Sequence, residues 1–280
     1  MGYSIFEGTI TDMTWVEIEE LANESTIVLF PMGVIEEHGP HLCLGTDIYL
    51  SYTGCKQLKS KLEALGKKVL VVPPYYWGIN NVTGAFPGSF TVRKETMKNI
   101  IYDTLSCLKR WSFKNVYCFY GHGDIDHINA ILEAIIDIRK DTELDVKMVV
   151  EGFSLQRFGL TGNEDYILPV TPPMPDEINA TPERLDIHAG AMETSYMYYH
   201  FPECVNAEIA KGLPSTDLTF DELQIWSKGW DETRKLVPLG YAGSPANFES
   251  VNDNKSFDDF ISDFTAKCII ESIVSEVSAS

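Results

Sequence analysis

The amino-acid sequence predicts an α/β fold with a mostly parallel central sheet. Short runs rich in Val, Ile and Leu recur between residues 25 and 150, and each is followed by a longer segment whose apolar residues recur with helical spacing. Strands that alternate with helices form parallel sheets, because each helix returns the chain across a face of the sheet. The run at 68–73 is apolar almost throughout, which is typical of a strand buried on both faces.

The predicted elements follow one another in a simple order. Strands are expected where β-branched and aromatic residues cluster between turn residues, namely at 25–31, 68–73, 115–120 and 145–150. Helices are expected where apolar residues recur on one face, namely at 47–65, 94–111, 125–139, 189–199 and 256–277. The stretch between the last two helices contains Gly240 and Gly243-Ser244-Pro245, and we expect it to be irregular.

One long connection stands apart from this pattern. Residues 153–187 contain five prolines and little periodicity. A structureless loop of this length is uncommon inside a compact domain and is usually functional where it occurs. We therefore expect residues 153–187 to form a lid over a functional site.

The composition excludes several classes of function. A hydrophobic content of 44% in 280 residues supports a substantial core, in one large α/β domain or two small ones. No stretch resembles a membrane span of about 20 apolar residues, and the N-terminus lacks the pattern of a signal peptide. The net charge of −19 argues against nucleic-acid and membrane partners. The six cysteines are scattered without CxxC pairs, as in a reduced, cytoplasmic protein.

Two short segments predict the functional site. Glu36–His41 follows the first strand, with Asp47 eleven residues after Glu36, and Gly121–Asp124 follows the third strand. Ligands of parallel sheets bind beyond the carboxyl ends of the strands, where both segments fall. Residues i and i+2 of an extended segment point to the same side. The pairs Glu36 with His38 and His122 with Asp124 can therefore each face one pocket.

The residue types in these segments indicate a metal site. Carboxylate oxygens and neutral imidazole nitrogens suit Zn²⁺ or Mn²⁺, and four to six converging groups would hold a pair of ions. Gly39-Pro40 and Gly45 supply the tight backbone that folds Asp47 back over Glu36. The sequence thus predicts a metallohydrolase.

Other interpretations of single residues remain open. Either carboxylate–imidazole pair alone could be a polar loop with a hydrogen-bonded histidine. The segment 121–124 could be a glycine-rich phosphate loop, although it lacks the spacing and lysine of a P-loop. Cys43 could be a soft metal ligand or a small packed side chain. From the residues alone, His188 is a lid histidine, Glu193 belongs to an amphipathic helix and Asp186 caps that helix.

Together the motifs resemble the creatininase (creatinine amidohydrolase) family. The matching segments run in family order over roughly residues 25–247. They are Glu36–Leu42 with Gly45–Asp47, Phe86–Ser89, Gly121–Asp124, His188–Ser195 and Tyr241–Pro245.

The resemblance implies a three-layer α/β/α sandwich in a single domain over residues 1–280, and hydrolysis of a carbon–nitrogen bond in a small-molecule amide. It implies two divalent metal ions per chain, which we expect to be Zn²⁺ with a second Zn²⁺ or with Mn²⁺. Family members usually form hexamers, so a homo-oligomer is also implied. The implied ligands of one ion are Glu36 and His122, with Asp124 assisting. Those of the other ion are His38 and Glu193, and Asp47 would bridge both ions. The implied catalytic residue is His188, and the implied substrate contacts are Ser89 and Gly123.

The chain departs from the family at several positions. The family commonly has Gln, Asn and Pro where this chain has Glu37, Tyr120 and Cys43. Creatinine-hydrolysing members carry tryptophans on the lid, whereas this chain has none between Trp111 and Trp226. These differences make creatinine itself a poor candidate substrate.

The lid offers an arginine in place of the missing aromatic residues. Arg184 stands at a lid position expected to touch substrate, next to Leu185. Arginine binds carboxylate or phosphate through a planar, bidentate fork, so we predict a substrate-binding role for Arg184 and a substrate with an anionic group. The alternative is that Arg184 pairs with Glu183 or Asp186 at the surface.

The expected function is that of a metal-dependent amidohydrolase. It would cleave a small cyclic amide or a formamide with a metal-activated water, without a Ser or Cys nucleophile. A deformylase or a peptide-trimming hydrolase on the same metal site is an alternative. A non-catalytic binding protein that retains the fold is another.

Overall fold

The computed structural model describes residues 6–23, 25–173, 185–250 and 254–279. Within these residues, five strands form one sheet in which all neighbours run parallel. The strands are β1 (Ile27–Met32), β2 (Val69–Val71), β3 (Asn115–Tyr120), β4 (Asp145–Glu151) and β5 (Ile167–Val170). They lie in the order β2-β1-β3-β4-β5, so β1 and β3 occupy the centre of the sheet.

Helices connect the strands and continue after the last one. The α-helices are α1 (Trp15–Leu21), α2 (Thr46–Ala64), α3 (Lys94–Arg110), α4 (Ile125–Asp141), α5 (Gly152–Leu155), α6 (Ala191–His200), α7 (Ala207–Gly212), α8 (Phe220–Trp226), α9 (Trp230–Leu236) and α10 (Asn254–Ala279). Short 3₁₀ helices lie at Ile10–Asp12, Pro202–Cys204 and Pro245–Ser250. Among the described residues, no helix combines the length and the apolar character needed to cross a membrane.

Helices cover both faces of the sheet, which confirms the predicted three-layer α/β/α sandwich. On one face, α3 and α4 pack on a core that includes Val116 and Cys118 of β3. On the other face, α2 and α10 pack on a core that includes Tyr117. Neighbouring residues of β3 therefore serve opposite faces, as the pleat of a strand requires. All six residues of β1 are buried, which agrees with a central strand covered on both sides.

Two glycines allow the start of α2 to lie against the strand ends. A Cβ atom on Gly33, just after β1, would lie 2.7 Å from the backbone of Asp47. A Cβ atom on Gly121, just after β3, would lie 2.6 Å from the carbonyl oxygen of Asp47. Both positions therefore require glycine for the observed approach. Asp47 therefore lies against the carboxyl ends of the two central strands, β1 and β3.

The structure differs from the sequence-based prediction in two regions. Strand β5 and all but the first residue of helix α5 lie inside the segment 153–187, which was expected to be structureless. β5 contains Pro169, which hides a strand pattern but is tolerated because β5 is an edge strand. Helices α7, α8 and α9 occupy the stretch expected to be irregular, and their six or seven residues are too few to show a period. The lid role stays a prediction, and part of it, 174–184, lies outside the described residues.

Adjacent isoleucines in α4 provide a matched test of this core. Ile135 is fully buried against the sheet, whereas Ile136 is 41% exposed. We expect Ile135→Ala to lower the free energy of unfolding by about 2–5 kcal/mol, because it leaves a cavity in a packed core. Ile136→Ala should lower it by less than about 1 kcal/mol. Denaturant unfolding of both variants measures the difference, and equal losses would contradict the described packing of α4.

Candidate metal centre

The loop between β1 and α2 carries two of the predicted site residues. Glu36 and His38 lie on this loop, and Asp47 is the second residue of α2. The backbone N–H of Glu36 donates to the carbonyl of Leu44 at 3.0 Å, which closes the loop. The three side chains are buried, and His38 Nε2 lies 3.1 Å from Asp47 Oδ1. The proximity of Glu36, His38 and Asp47 thus agrees with the sequence-based expectation.

The segment after β3 brings a second histidine to the same carboxylates. His122 Nδ1 lies 2.8 Å from Glu36 Oε1 and 3.2 Å from Asp47 Oδ2. Its other nitrogen, Nε2, donates to the carbonyl of Ile79 at 3.0 Å, so the tautomer that this contact favours leaves Nδ1 with a free lone pair. His122 is therefore oriented as a metal ligand would be.

Helix α6 adds a carboxylate from a distant part of the chain. Glu193 lies in the first turn of α6, and its Oε2 is 3.9 Å from His38 Nε2. The same oxygen accepts a hydrogen bond from the backbone N–H of Ala189 at 2.6 Å, which fixes its direction. Asp186 caps α6 as the sequence predicted, with its carboxylate accepting from the backbone of Ala191 and Met192, each at 2.9 Å.

These side chains form two ligand groups that share Asp47. One group is Glu36, Asp47 and His122, and the other is His38, Asp47 and Glu193. Within each group the candidate ligand atoms all lie within 4.8 Å of one another. Asp47 Oδ2 is buried and has no hydrogen-bond partner of acceptable geometry. A buried carboxylate oxygen in that position, beside imidazole nitrogens, fits a divalent cation.

The buried charges in this cluster perturb one another strongly. Burial by itself raises the pKa of Glu36, but the neighbouring charges of His122, His188 and His38 outweigh it and hold this pKa well below its usual range. Burial lowers the pKa of His122, yet the carboxylates of Glu36 and Asp47 raise it well above its usual range. When no cation is bound, protons on the histidines thus supply the positive charge that the carboxylates require.

His188 lies at the edge of the cluster, on the segment before α6. Its Nε2 donates to the backbone carbonyl of Glu37 at 2.8 Å, and its Nδ1 faces Glu36 Oε1 at 3.9 Å. Its ring lies between the ring of His38, at a centroid distance of 4.4 Å, and the ring of Trp226, at 5.6 Å. Because His188 also forms a third possible ligand group with Glu36 and His38, a ligand role is the alternative to a catalytic one.

The structure places Asp124 differently from the other predicted ligands. Its Oδ1 accepts from the backbone N–H of Asp126 at 2.9 Å, so that Asp124 caps α4. Its Oδ2 accepts from the backbone of Asn81 and Val82 at 2.8 and 3.2 Å. Both oxygens therefore accept hydrogen bonds from backbone N–H groups. Asp124 belongs to none of the three ligand groups found among the described residues.

The predicted substrate contacts have different surroundings. Ser89 Oγ accepts from the backbone N–H of Glu37 at 3.0 Å, which ties the Phe86–Ser89 loop to the first motif. The carbonyl of Gly123 accepts from Arg157. Arg184 lies outside the described residues. Cys43 packs in an apolar cluster and joins none of the three ligand groups, which favours the packed side chain over the soft ligand.

Sequence reasoning missed several residues that support the site. Thr83 donates its hydroxyl to Glu36 Oε2. His127, which is fully buried, accepts from the backbone N–H of Ile79 at 3.4 Å and thereby supports the carbonyl that orients His122. Trp226 of α8 packs on His188 from a helix that was not predicted. Only tertiary structure reveals these contacts, because nothing in the local sequence distinguishes such residues.

Comparisons with known proteins show which family and which solved structures this chain resembles. The Creatininase family model, described as creatinine amidohydrolase, matches residues 11–267. Creatinine amidohydrolase of Pseudomonas putida is 26% identical over 158 residues, which are 54% of this chain and 58% of that protein. Mycofactocin precursor peptide peptidase of Mycobacterium ulcerans is 21% identical over 244 residues, which are 86% of this chain and 83% of that protein. The match thus spans little more than half the length of the Pseudomonas putida enzyme.

Solved structures share the fold. A crystal structure of creatinine amidohydrolase (creatininase) superposes with a TM-score of 0.67 at 20% identity, covering 96% of this chain and 97% of that one. A structure titled "Creatininase Mn" gives the same TM-score and identity, covering 96% of this chain and 98% of that one. Because the family model covers most of the sequence, this chain belongs to the creatininase family.

Proposed function

We propose that the protein is a dinuclear metal-dependent hydrolase that cleaves a C–N bond in a small amide, either a cyclic amide or a formamide. The observation that carries this proposal is the position of Asp47. Its two oxygens face different histidines, His38 at 3.1 Å and His122 at 3.2 Å, and each histidine belongs to a separate ligand group. A carboxylate shared in this way is suited to bridge two cations.

The donor set and the relatives support two divalent ions per chain. Glu36 and His122 would hold one ion, His38 and Glu193 the other, and Asp47 both. Imidazole and carboxylate donors suit Zn²⁺ and Mn²⁺. One related structure is titled "Creatininase Mn" and another describes a mutant creatininase of Zn-Zn type. We therefore propose Zn²⁺ with a second Zn²⁺ or with Mn²⁺.

The protein's own residues would prepare the reaction and complete it. When bound, the metal ions would supply an acidified water and polarise the substrate carbonyl. His188 holds its ring in place by donating from Nε2 to the carbonyl of Glu37, which leaves Nδ1 facing the cluster. With no cation bound, burial lowers the pKa of His188, but Glu36 and Glu37 raise it to about 10. In the proposed reaction, a proton held at Nδ1 would be delivered to the departing nitrogen.

Peptide trimming is the second candidate function. The Mycobacterium ulcerans relative, which matches over 86% of this chain, is a precursor peptide peptidase. A peptide bond is also a C–N amide bond, so the same groups could act on it. Ser89, Gly123 and Arg184 remain predicted substrate contacts under either function. A homo-oligomer, with the six copies that the family resemblance implies, also remains a prediction.

A hydrolysis screen distinguishes the two functions. Metal-reconstituted protein should be assayed on cyclic amides, ureides, N-formyl compounds and short peptides. Turnover of a small amide that a chelator abolishes would support the amidohydrolase, whereas turnover of peptides alone would favour peptide trimming. A protein that binds no metal and hydrolyses none of these compounds would contradict both functions.

Metal content tests the bridging role of Asp47. Asp47→Ala should lose both ions, because the shared ligand goes, whereas Glu193→Gln should lose only the ion held with His38. Asp124→Asn should keep both ions, since its amide oxygen can still cap α4 and only the contact of the second oxygen with Asn81 and Val82 is lost. Elemental analysis after dialysis measures the ions per chain. If Asp47→Ala keeps two ions per chain, the bridging role of Asp47 is wrong. If Asp124→Asn loses one ion, Asp124 is a ligand after all.

Metal affinity should depend on pH. A protonated imidazole cannot bind a cation, and Glu36 and Asp47 keep the pKa of His122 well above its usual range despite burial. Below that pKa a cation must displace a proton, so apparent affinity should rise as pH rises, by up to about tenfold per pH unit for each proton displaced. Competition with a chelator, corrected for its own protonation, measures this between about pH 6 and about pH 8. A flat affinity profile would contradict the proton–metal exchange.

Replacing His188 separates catalysis from metal binding. His188→Ala should keep both ions while kcat falls at least about 10²-fold, because general acid catalysis is lost. His200→Ala is a matched control, since His200 pairs with Asp258 at 2.8 Å at the other end of α6. The control should keep its kcat. Loss of an ion in His188→Ala would instead show that His188 is a ligand.

A further inference from the structure

The turn after β4 places an arginine against the short segment that carries the candidate metal ligand His122. The chain forms a hydrogen-bonded turn after α5, in which Phe158 N–H donates to the carbonyls of Ser154 and Leu155, each at 3.1 Å. Arg157 Nη2 donates to the carbonyl of Gly123 at 2.8 Å. Gly123 directly follows His122, so the guanidinium is anchored on the same short segment as a candidate metal ligand.

Glycine at position 123 leaves room for this close contact. A Cβ atom there would lie 3.2 Å from Arg157 Nη2 and 3.3 Å from Nη1, which is closer than most real contacts. The end of the guanidinium therefore lies directly over Gly123. Arg157 is exposed, and its hydrogen bond to Gly123 uses one of five N–H donors. The other donors remain available for a ligand in the surrounding solvent.

The charge of Arg157 lacks an acidic partner among the described residues. This is unusual in a chain with 41 acidic and 22 basic residues. Arg139, by comparison, pairs with Asp145 at 2.6 Å and with Asp165 at 2.9 Å. No second cation is described beside Arg157, so the site offers one positive charge. A guanidinium suits a singly charged carboxylate, which it can bind in a bidentate manner.

An exposed phenylalanine lies four residues before Arg157 in the chain. Phe153 belongs to α5, whereas Arg157 follows the end of that helix and lies over the ring of Phe158, at 5.9 Å from the ring centroid. Phe153 is 87% exposed, the highest value among the large hydrophobic residues of the described ranges. An apolar ring beside a cation suits a ligand in which a carboxylate is next to an apolar group.

We propose that Arg157 binds the carboxylate of the substrate, so that the substrate class is an amide or short peptide bearing a free carboxylate. This inference rests on the proposed hydrolase function, and it adds a specificity residue distinct from Arg184. Arg157 would act through binding, with its effect on KM rather than on kcat.

Matched ligands test this proposal by binding as well as by turnover. N-acetylphenylalanine and its neutral amide differ only in the carboxylate, and calorimetry on the metal-loaded protein measures the affinity of each. The wild type should bind the acid at least about tenfold more tightly, as expected for charge-assisted hydrogen bonds. Arg157→Gln, which keeps a donor for the Gly123 carbonyl, should remove that preference, while Arg157→Lys should restore part of it. Arg110→Gln, a control at an exposed arginine of α3, should not change it.

The outcomes separate this inference from the proposed function. An acid preference that persists in Arg157→Gln would place the carboxylate elsewhere, for example on a metal ion, and would overturn the role of Arg157. Equal affinity for both ligands, or no binding of the acid at millimolar concentration, would overturn the substrate class. An acid preference that requires Arg157 in a protein without hydrolytic activity would uphold the binding site and refute the hydrolase. With any acidic substrate found in the screen, Arg157→Gln should raise KM and leave kcat nearly unchanged.

Discussion

The rest of the site depends on the close approach of Asp47 to the ends of β1 and β3. The approach requires the absence of a side chain at Gly33 and at Gly121, where a Cβ atom would lie within 2.7 Å of the Asp47 backbone. It sets the two carboxylate oxygens against the two loops that leave the central strands. The histidine of each loop then finds one of these oxygens, His38 at 3.1 Å and His122 at 3.2 Å. Backbone packing thus determines the geometry of the candidate metal centre.

Bringing buried carboxylates together has an electrostatic cost that a cation would remove. Glu36 and Asp47 both lie close to His122, and their charges are partly balanced by imidazole protons when no cation is bound. Hydrogen bonds to uncharged groups also hold two candidate ligands in place. The Thr83 hydroxyl donates to Glu36, and the Ile79 carbonyl accepts from His122. Ligands that are oriented in advance lose little freedom on binding, so most of the favourable electrostatic energy remains available for affinity. A bound cation would in turn stabilise the fold.

The sequence predicted four of the five described strands, namely β1 to β4, and missed only the edge strand β5. The predicted strand at 115–120 agrees with the structure at both ends, because a central strand shows continuous apolar character. The edge strand β5 was missed because Pro169 lies inside it. The spacing of His122 and Asp124 suggested a shared pocket, but Asp124 instead caps α4, since a short carboxylate beside free helix N–H groups readily binds them. The contact of Trp226 with His188 joins segments far apart in sequence, and no local pattern reports it.

The surfaces around the candidate metal centre come from different elements than its candidate ligands. The candidate ligands lie on the loops after β1 and β3 and at the starts of α2 and α6. The neighbouring surfaces come from the turn after β4, which carries Arg157, and from α8, which carries Trp226. Substitutions in these neighbouring surfaces can change the shape and charge around a substrate without moving a candidate ligand atom. Fold similarity at about 20% identity is therefore compatible with a substrate different from that of the related creatininase. If Arg157 binds substrate as proposed, its positive charge on the segment of His122 would select an anionic substrate in this strongly acidic chain. The charge of the substrate is then the property that would distinguish this chain from an enzyme that acts on a neutral amide.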